Sequence, residues 1–133
     1  LAFGAVRGYT EDGQQVPAWT TMTGAFEHER NHGAEGDWKL PNSWHQSEKK
    51  IPATTPFNFV CTADIIGGNS GSPVINRRGE FVGIIFDGNI QSLTSDYLYT
   101  DRVARAVSVS GAAIRESLRV IYKADQYAAE LGR

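Results

Sequence analysis

Apolar and polar positions alternate in short bursts over the first hundred residues, and the period changes near Ala112. Leu1–Thr10 alternates well enough to predict a strand, which Glu11-Asp12-Gly13 would turn. Val16–Thr23 is a second β-prone stretch, and Phe57–Asp64 a third. Ser72–Asn76 and Glu80–Asp87 read as a hairpin closed by Asn76-Arg77-Arg78-Gly79, where glycine suits a positive-φ exit. Tyr97–Thr100 and Arg105–Ser110 add two short strands. Residues 24–56 lose the pattern: they are polar, are punctuated by Gly33, Gly36, Pro41, Pro52 and Pro56, and predict a long loop with one helical turn near Ser43–Lys49. From Ala112 on, Ile114, Leu118, Ile121, Ala124, Ala128 and Leu131 recur at three- and four-residue spacing. That stripe predicts an amphipathic helix over about 112–131, with Ser110 as its N-cap and Gly132 just past its end. Several strands followed by one helix make the chain mainly β, a small antiparallel barrel carrying a helix on its outside.

Composition narrows the class. A length of 133 residues with 41% apolar content fits a single domain with its own core. The net charge of -2 is small and unclustered, so neither nucleic acid nor an anionic membrane surface is indicated as a partner. No apolar run approaches the ~20 residues needed to span a bilayer. Cys61 is the one cysteine, which excludes an internal disulfide, and its apolar neighbours predict a buried small side chain. The chain opens at Leu1 within strand-like sequence, with neither Met nor a signal peptide, and so reads as a fragment or a processed product.

The chemistry concentrates in Gly67-Gly68-Asn69-Ser70-Gly71-Ser72-Pro73. A serine hydroxyl is a weak nucleophile unless a base removes its proton and nearby donors stabilise the resulting oxyanion. Glycines on both sides of Ser70 allow a tight, partly positive-φ turn that aims two backbone N–H groups at one point. The run therefore reads as the nucleophile loop of a chymotrypsin-like serine peptidase. Ser70 would be the nucleophile, the N–H groups of Gly68 and Ser70 the oxyanion hole, and Asn69 part of the same loop. The Gly-x-Ser-x-Gly elbow is excluded because Ser72 stands where its second glycine would be. A triad also needs a histidine and a carboxylate. Only 69 residues precede Ser70, and His28, His32 and His45 all lie in the polar stretch, so the base is expected from outside this chain.

Two further patterns compete for attention. His28-Glu29-Arg30-Asn31-His32 matches the zinc-peptidase pattern literally, but the glycine of its extended form is replaced by Glu35 and little apolar stripe supports a helix. A solvated loop without metal is expected there. Asp64 lies six residues before Ser70, the offset of the carboxylate that binds basic side chains in trypsin-like pockets. It serves either as such a pocket base or as an acceptor for loop donors, and the offset does not choose.

The runs Asn58–Ile65, Gly67–Val74, Gly79–Gly83 and Phe86-Asp87-Gly88-Asn89 closely resemble the bacterial dipeptidyl-peptidase 7 and 11 family. Weaker similarity covers almost the whole chain, from Pro17-Ala18-Trp19 to Glu130-Leu131. These are periplasmic or cell-surface serine exopeptidases that remove dipeptides from peptide N-termini. The resemblance implies a six-stranded trypsin-like barrel over about 1–110, the second of a double-barrel peptidase, followed by the terminal helix. The first barrel and a helical insertion would lie outside this chain. It implies Ser70 as nucleophile, Asp87 as the carboxylate for the substrate's free amine, Phe86 as a pocket wall and Gly88 as the residue that leaves room for an apolar side chain. Asp64 takes a structural role on this reading. No cofactor is implied. The partners would be peptide substrates, the remainder of the polypeptide with the triad histidine and aspartate, and a second copy as a further candidate. The fragment alone is expected to be inactive. A glutamyl-endopeptidase-like fragment and a non-catalytic binding barrel are the alternatives.

Overall fold

A computed structural model of the chain describes residues 1–131. In chain order the strands are β1 (Tyr9–Glu11), β2 (Gln14–Val16), β3 (Trp19–Thr21), β4 (Pro56–Cys61), β5 (Pro73–Ile75), β6 (Phe81–Gly88) and β7 (Ala106–Ser110). The helices are α1 (Met22–Asn31), α2 (Asn42–His45), α3 (Gly111–Glu116) and α4 (Asp125–Glu130). The chain divides into two compact units, Leu1–Thr20 with Asn58–Gly111, and Thr21–Phe57 with the residues from Ala112 on.

The first unit is the β part. β1 and β2 form an antiparallel hairpin across Asp12 (φ 47) and Gly13 (φ 77). A five-stranded sheet has the order β3-β4-β7-β6-β5, antiparallel at β4–β7, β7–β6 and β6–β5. β7 is thus the central strand. Cys61, Ile85 and Ala106, from β4, β6 and β7, pack against Ala63, Ile65 and Val74, so Cys61 is the buried side chain its neighbours predict. The expected hairpin forms: Asn76 N–H donates to Glu80 O and Gly79 N–H to Asn76 O, with Gly79 at φ +78. On that turn, the hydrogen bond from Arg78, and then that from Asn76, hold the Glu80 carboxyl below the usual glutamate range.

Two predicted strands shrink or vanish. Of Leu1–Thr10 only Tyr9 and Thr10 belong to a strand, and Val6 makes an isolated bridge to Cys61. A Cβ on Gly4 would lie 2.3 Å from Ala63 N, and one on Gly8 would lie 2.2 Å from Val16 O, so this segment threads backbone against backbone instead of building a ladder. Tyr97–Thr100 is not a strand either. It follows a 3-10 segment, Ile90–Asp96, and the N–H groups of Tyr97 and Leu98 both turn back to Thr94 O.

The second unit corrects the reading of residues 24–56 as a loop. The ten-residue helix α1 runs into them from Met22, capped by Thr21 Oγ1, which accepts from Gly24 N at 3.1 Å. Met22, Phe26 and Glu29 form its buried face. Glu29 Oε1 accepts from Leu40 N at 2.8 Å and lies 3.1 Å from His45 Nε2, so a carboxylate completes a face that an apolar pattern leaves unfinished. The single terminal helix is also corrected. α3 passes into a π-turn over Ser117–Ile121 and stops at Lys123, whose φ is 54. Ala124 N–H reaches six residues back to Leu118 O at 2.7 Å and closes the π-turn before α4 begins. Ala113, Ile121 and Ala128 are buried across the break, whereas Leu131 is exposed. Ser110 ends β7 and directly precedes α3, the N-cap position expected for it, and Gly132 lies outside the described residues.

Candidate active site

The loop between β4 and β5 carries Ser70 on the surface of the first unit. Gly68 (φ +99) and Gly71 (φ +89) both adopt the left-handed conformation, with open space where a Cβ would be. Backbone geometry, not crowding, requires glycine at both places. The loop is then pinned by three of its amides. Asn69 N–H donates to Ile66 O (3.2 Å), Gly71 N–H to Ile85 O (2.8 Å) and Ser72 N–H to Asn69 O (3.0 Å). The Asn69 side chain accepts from Ile66 N at 2.9 Å and closes the turn from inside. Among the described residues, no protein group accepts from the N–H of Gly68 or of Ser70.

Strand β6 supplies the facing wall. Its register with β7 shifts between Ile85 and Asp87, a bulge that changes where the next carbonyl points. Ile85 exchanges hydrogen bonds with the loop, accepting from Gly71 and donating to Ser72 O at 3.1 Å. Phe86 O accepts from Ser70 Oγ at 3.1 Å. The hydroxyl is therefore exposed and held by a carbonyl, which is an acceptor with no capacity to remove its proton.

Beside Ser70 opens a cleft of about 170 Å³ walled by Ile65, Ile66, Asp87, Gly88, Ser92 and Leu93. Asp87 is exposed, and its Oδ1 accepts from Gly88 N at 2.8 Å. The fold thus brings Ser70, Asn69, Asp87 and Gly88 to one cleft. Asp64 is exposed and does not line it. The Phe86 ring is exposed and does not line it either, so Phe86 meets Ser70 through its main chain. Among the described residues no histidine lines the cleft, and His28, His32 and His45 all belong to the second unit.

The His-Glu-x-x-His run is helical from His28 to Asn31, with His32 as the C-cap, contrary to the loop expected. His28 and His32 are exposed with ring centroids 4.2 Å apart, and Trp38 stacks on His32. Glu29 turns inward to Leu40 and His45. Among the described residues no group of three or more His, Cys, Asp or Glu could hold a metal ion.

Sequence reasoning missed Ser92 and Leu93. They reach the cleft on the 3-10 segment after β6, and Asn89 fixes that segment's start. Its N–H donates to Arg105 O, its Nδ2 to Val103 O, and its Oδ1 accepts from Arg105 N, at 2.8–2.9 Å. Tandem side chain and main chain bonds of this kind leave no local signature.

The peptidase S46 family model matches the chain over residues 1–133. The chain belongs to the peptidase S46 family. A dipeptidyl-peptidase 7 from Phocaeicola vulgatus is 34% identical over 140 residues, covering 92% of this chain and 18% of that protein. An Asp/Glu-specific dipeptidyl-peptidase from Shewanella putrefaciens is 42% identical over 72 residues, covering 54% of this chain and 9% of the relative. The solved structure of Porphyromonas endodontalis DPP11 with the dipeptide Arg-Glu superposes with a TM-score of 0.88 at 23% identity, covering 98% of this chain and 20% of that one. This S46 chain thus spans about a fifth of the length of relatives that are bacterial and named for dipeptide release. Its mainly-β fold is the one found in DPP11.

Proposed function

We propose that this chain is the nucleophile-bearing barrel, six-stranded and trypsin-like, of a serine dipeptidyl peptidase. The observation that carries the reading is an exposed Ser70 hydroxyl beside two uncommitted amides, with a carboxylate, Asp87, in the same cleft. In the complete polypeptide a histidine supplied by the remainder takes the Ser70 proton as Oγ attacks the second peptide carbonyl. The N–H groups of Gly68 and Ser70 receive the oxyanion, each such donor contributing about 3 kcal/mol of transition-state stabilisation. The same histidine protonates the departing amine, and water then releases the dipeptide from the acyl-enzyme. Asp87 pairs with the substrate's ammonium, and this pairing selects chain ends.

Gly88 leaves the cleft floor without a charged side chain, and the walls beside it are Ile65, Ile66 and Leu93. That lining favours an apolar residue before the cleaved bond. A periplasmic or cell-surface location in a bacterium fits dipeptide release as a nutritional activity, and a second copy of the polypeptide is a candidate partner.

The test is release of dipeptide from a peptide with a free N-terminus by the complete polypeptide. Ser70→Ala is expected to abolish release, and N-acetylation of the peptide to block it. Equal turnover of acetylated and free peptides would identify an endopeptidase instead.

A further inference from the structure

The cleft holds a residue whose position bears on its size. A Cβ built on Gly88 would lie 2.2 Å from Ser92 Oγ, 3.2 Å from Ser92 Cβ and 3.6 Å from Arg105 O. The backbone at Gly88 is not left-handed, so conformation alone does not demand glycine. What excludes a side chain is the serine four residues on. Ser92 is not free to move aside, because its Oγ donates to Asn89 O at 2.6 Å and its N–H to the same oxygen at 2.9 Å. Asn89 is itself fixed to Val103 and Arg105. Rotating the hydroxyl away would forfeit one of these bonds and still leave Ser92 Cβ tight against the new atom.

We infer that Ser92 is a second specificity-determining residue, coupled to Gly88, whose hydroxyl takes the space a side chain at position 88 would need and sets the depth of the pocket for the residue before the cleaved bond. The inference rests on the dipeptidyl-peptidase reading above. Two consequences follow from the contact geometry. Removing the Ser92 hydroxyl deepens the pocket and makes it less polar, and a side chain at position 88 is tolerated only when that hydroxyl is gone.

The experiment is a double-mutant cycle on the complete polypeptide with Gly88→Ala, Ser92→Ala and the pair. Dipeptidyl amide substrates carry Ala, Met, Leu or Phe before the scissile bond. Gly88→Ala is expected to lower kcat/KM for Phe relative to Ala about tenfold, the scale of a small mismatch in an apolar pocket. Ser92→Ala should raise the Phe-to-Ala ratio a few-fold. In the pair, Ser92→Ala should recover most of what Gly88→Ala loses, so the ratio departs from the product of the single effects. A strictly multiplicative pair, or an unchanged ratio in Ser92→Ala, overturns the inference. Thermal midpoints of the same four proteins separate its failure from that of the parent reading. If the unsubstituted polypeptide releases no dipeptide, the assigned activity fails. The midpoints then decide the coupling: a drop in Gly88→Ala that Ser92→Ala does not restore overturns it, and a restored midpoint upholds the contact.

Discussion

Arg105 is 2% exposed, and among the described residues its guanidinium hydrogen-bonds only main-chain oxygens, with the Asp101 carboxylate acting on it through charge alone. Its guanidinium donates to four main-chain oxygens, those of Arg7, Gly8, Asp101 and Ala104, and the Tyr9 ring lies 5.3 Å from its centre. Burial, and then the neighbouring Arg7 charge, lower its pKa from the usual arginine value. The group nonetheless stays charged, because guanidinium deprotonation lies far above ordinary pH. Its planar fork matches carbonyls arriving from several directions, which a lysine ammonium on one flexible stem does not reproduce. Arg105→Met should therefore destabilise the fold by about 2–4 kcal/mol, since it leaves those acceptors without donors. Arg105→Lys should recover less than half of that loss. Urea melts of the three proteins check this. The contrast with Ser70 explains what can be read from a sequence at this scale. Gly67–Pro73 encodes its own turn through residues adjacent in the chain, whereas Arg105 meets Arg7 O across 98 positions and Ser92 meets Gly88 through a segment with no pattern of its own.

At the scale of elements, what reads well is what a run of neighbours decides. The β5–β6 hairpin follows from two apolar runs and Asn76–Gly79, and the core strand β4 from its alternation. Helix α1 does not read, because one of its three buried positions is Glu29. An inward carboxylate breaks the apolar count although it stabilises the helix through Leu40 and His45. Glu29→Ala should lower stability by about 2–3 kcal/mol by stranding the Leu40 N–H and leaving a cavity. Glu29→Gln, which keeps an acceptor, should lose less; circular dichroism melts distinguish the two. The terminal stripe misleads in the opposite direction. Ile114 to Leu131 keep helical spacing in the sequence across Lys123, because what ends the helix there is a positive-φ backbone and not a lapse in the apolar pattern. Pattern alone therefore joins α3 and α4 into one element.

For the whole chain, the proposed separation of nucleophile and base can be tested directly. The residues lining the cleft include Ser70 but no histidine, and Ser70 Oγ donates to a carbonyl. A fluorophosphonate probe is therefore expected to leave Ser70 unlabelled in the isolated chain and to label it stoichiometrically in the complete polypeptide, read by intact-protein mass. Brisk labelling of the isolated chain would show that the hydroxyl needs no partner from outside. The order of the five-stranded sheet carries a different consequence. Its middle strand, β7, is the last to be synthesised, and both β4 and β6 pair with it. While the ribosome is still adding residues before Ala106, each of these strands presents an unsatisfied edge, the arrangement most prone to sticking to other chains. Polypeptide cut short before Ala106 should therefore aggregate more readily than polypeptide that extends past Ser110, because only the latter can cover both edges.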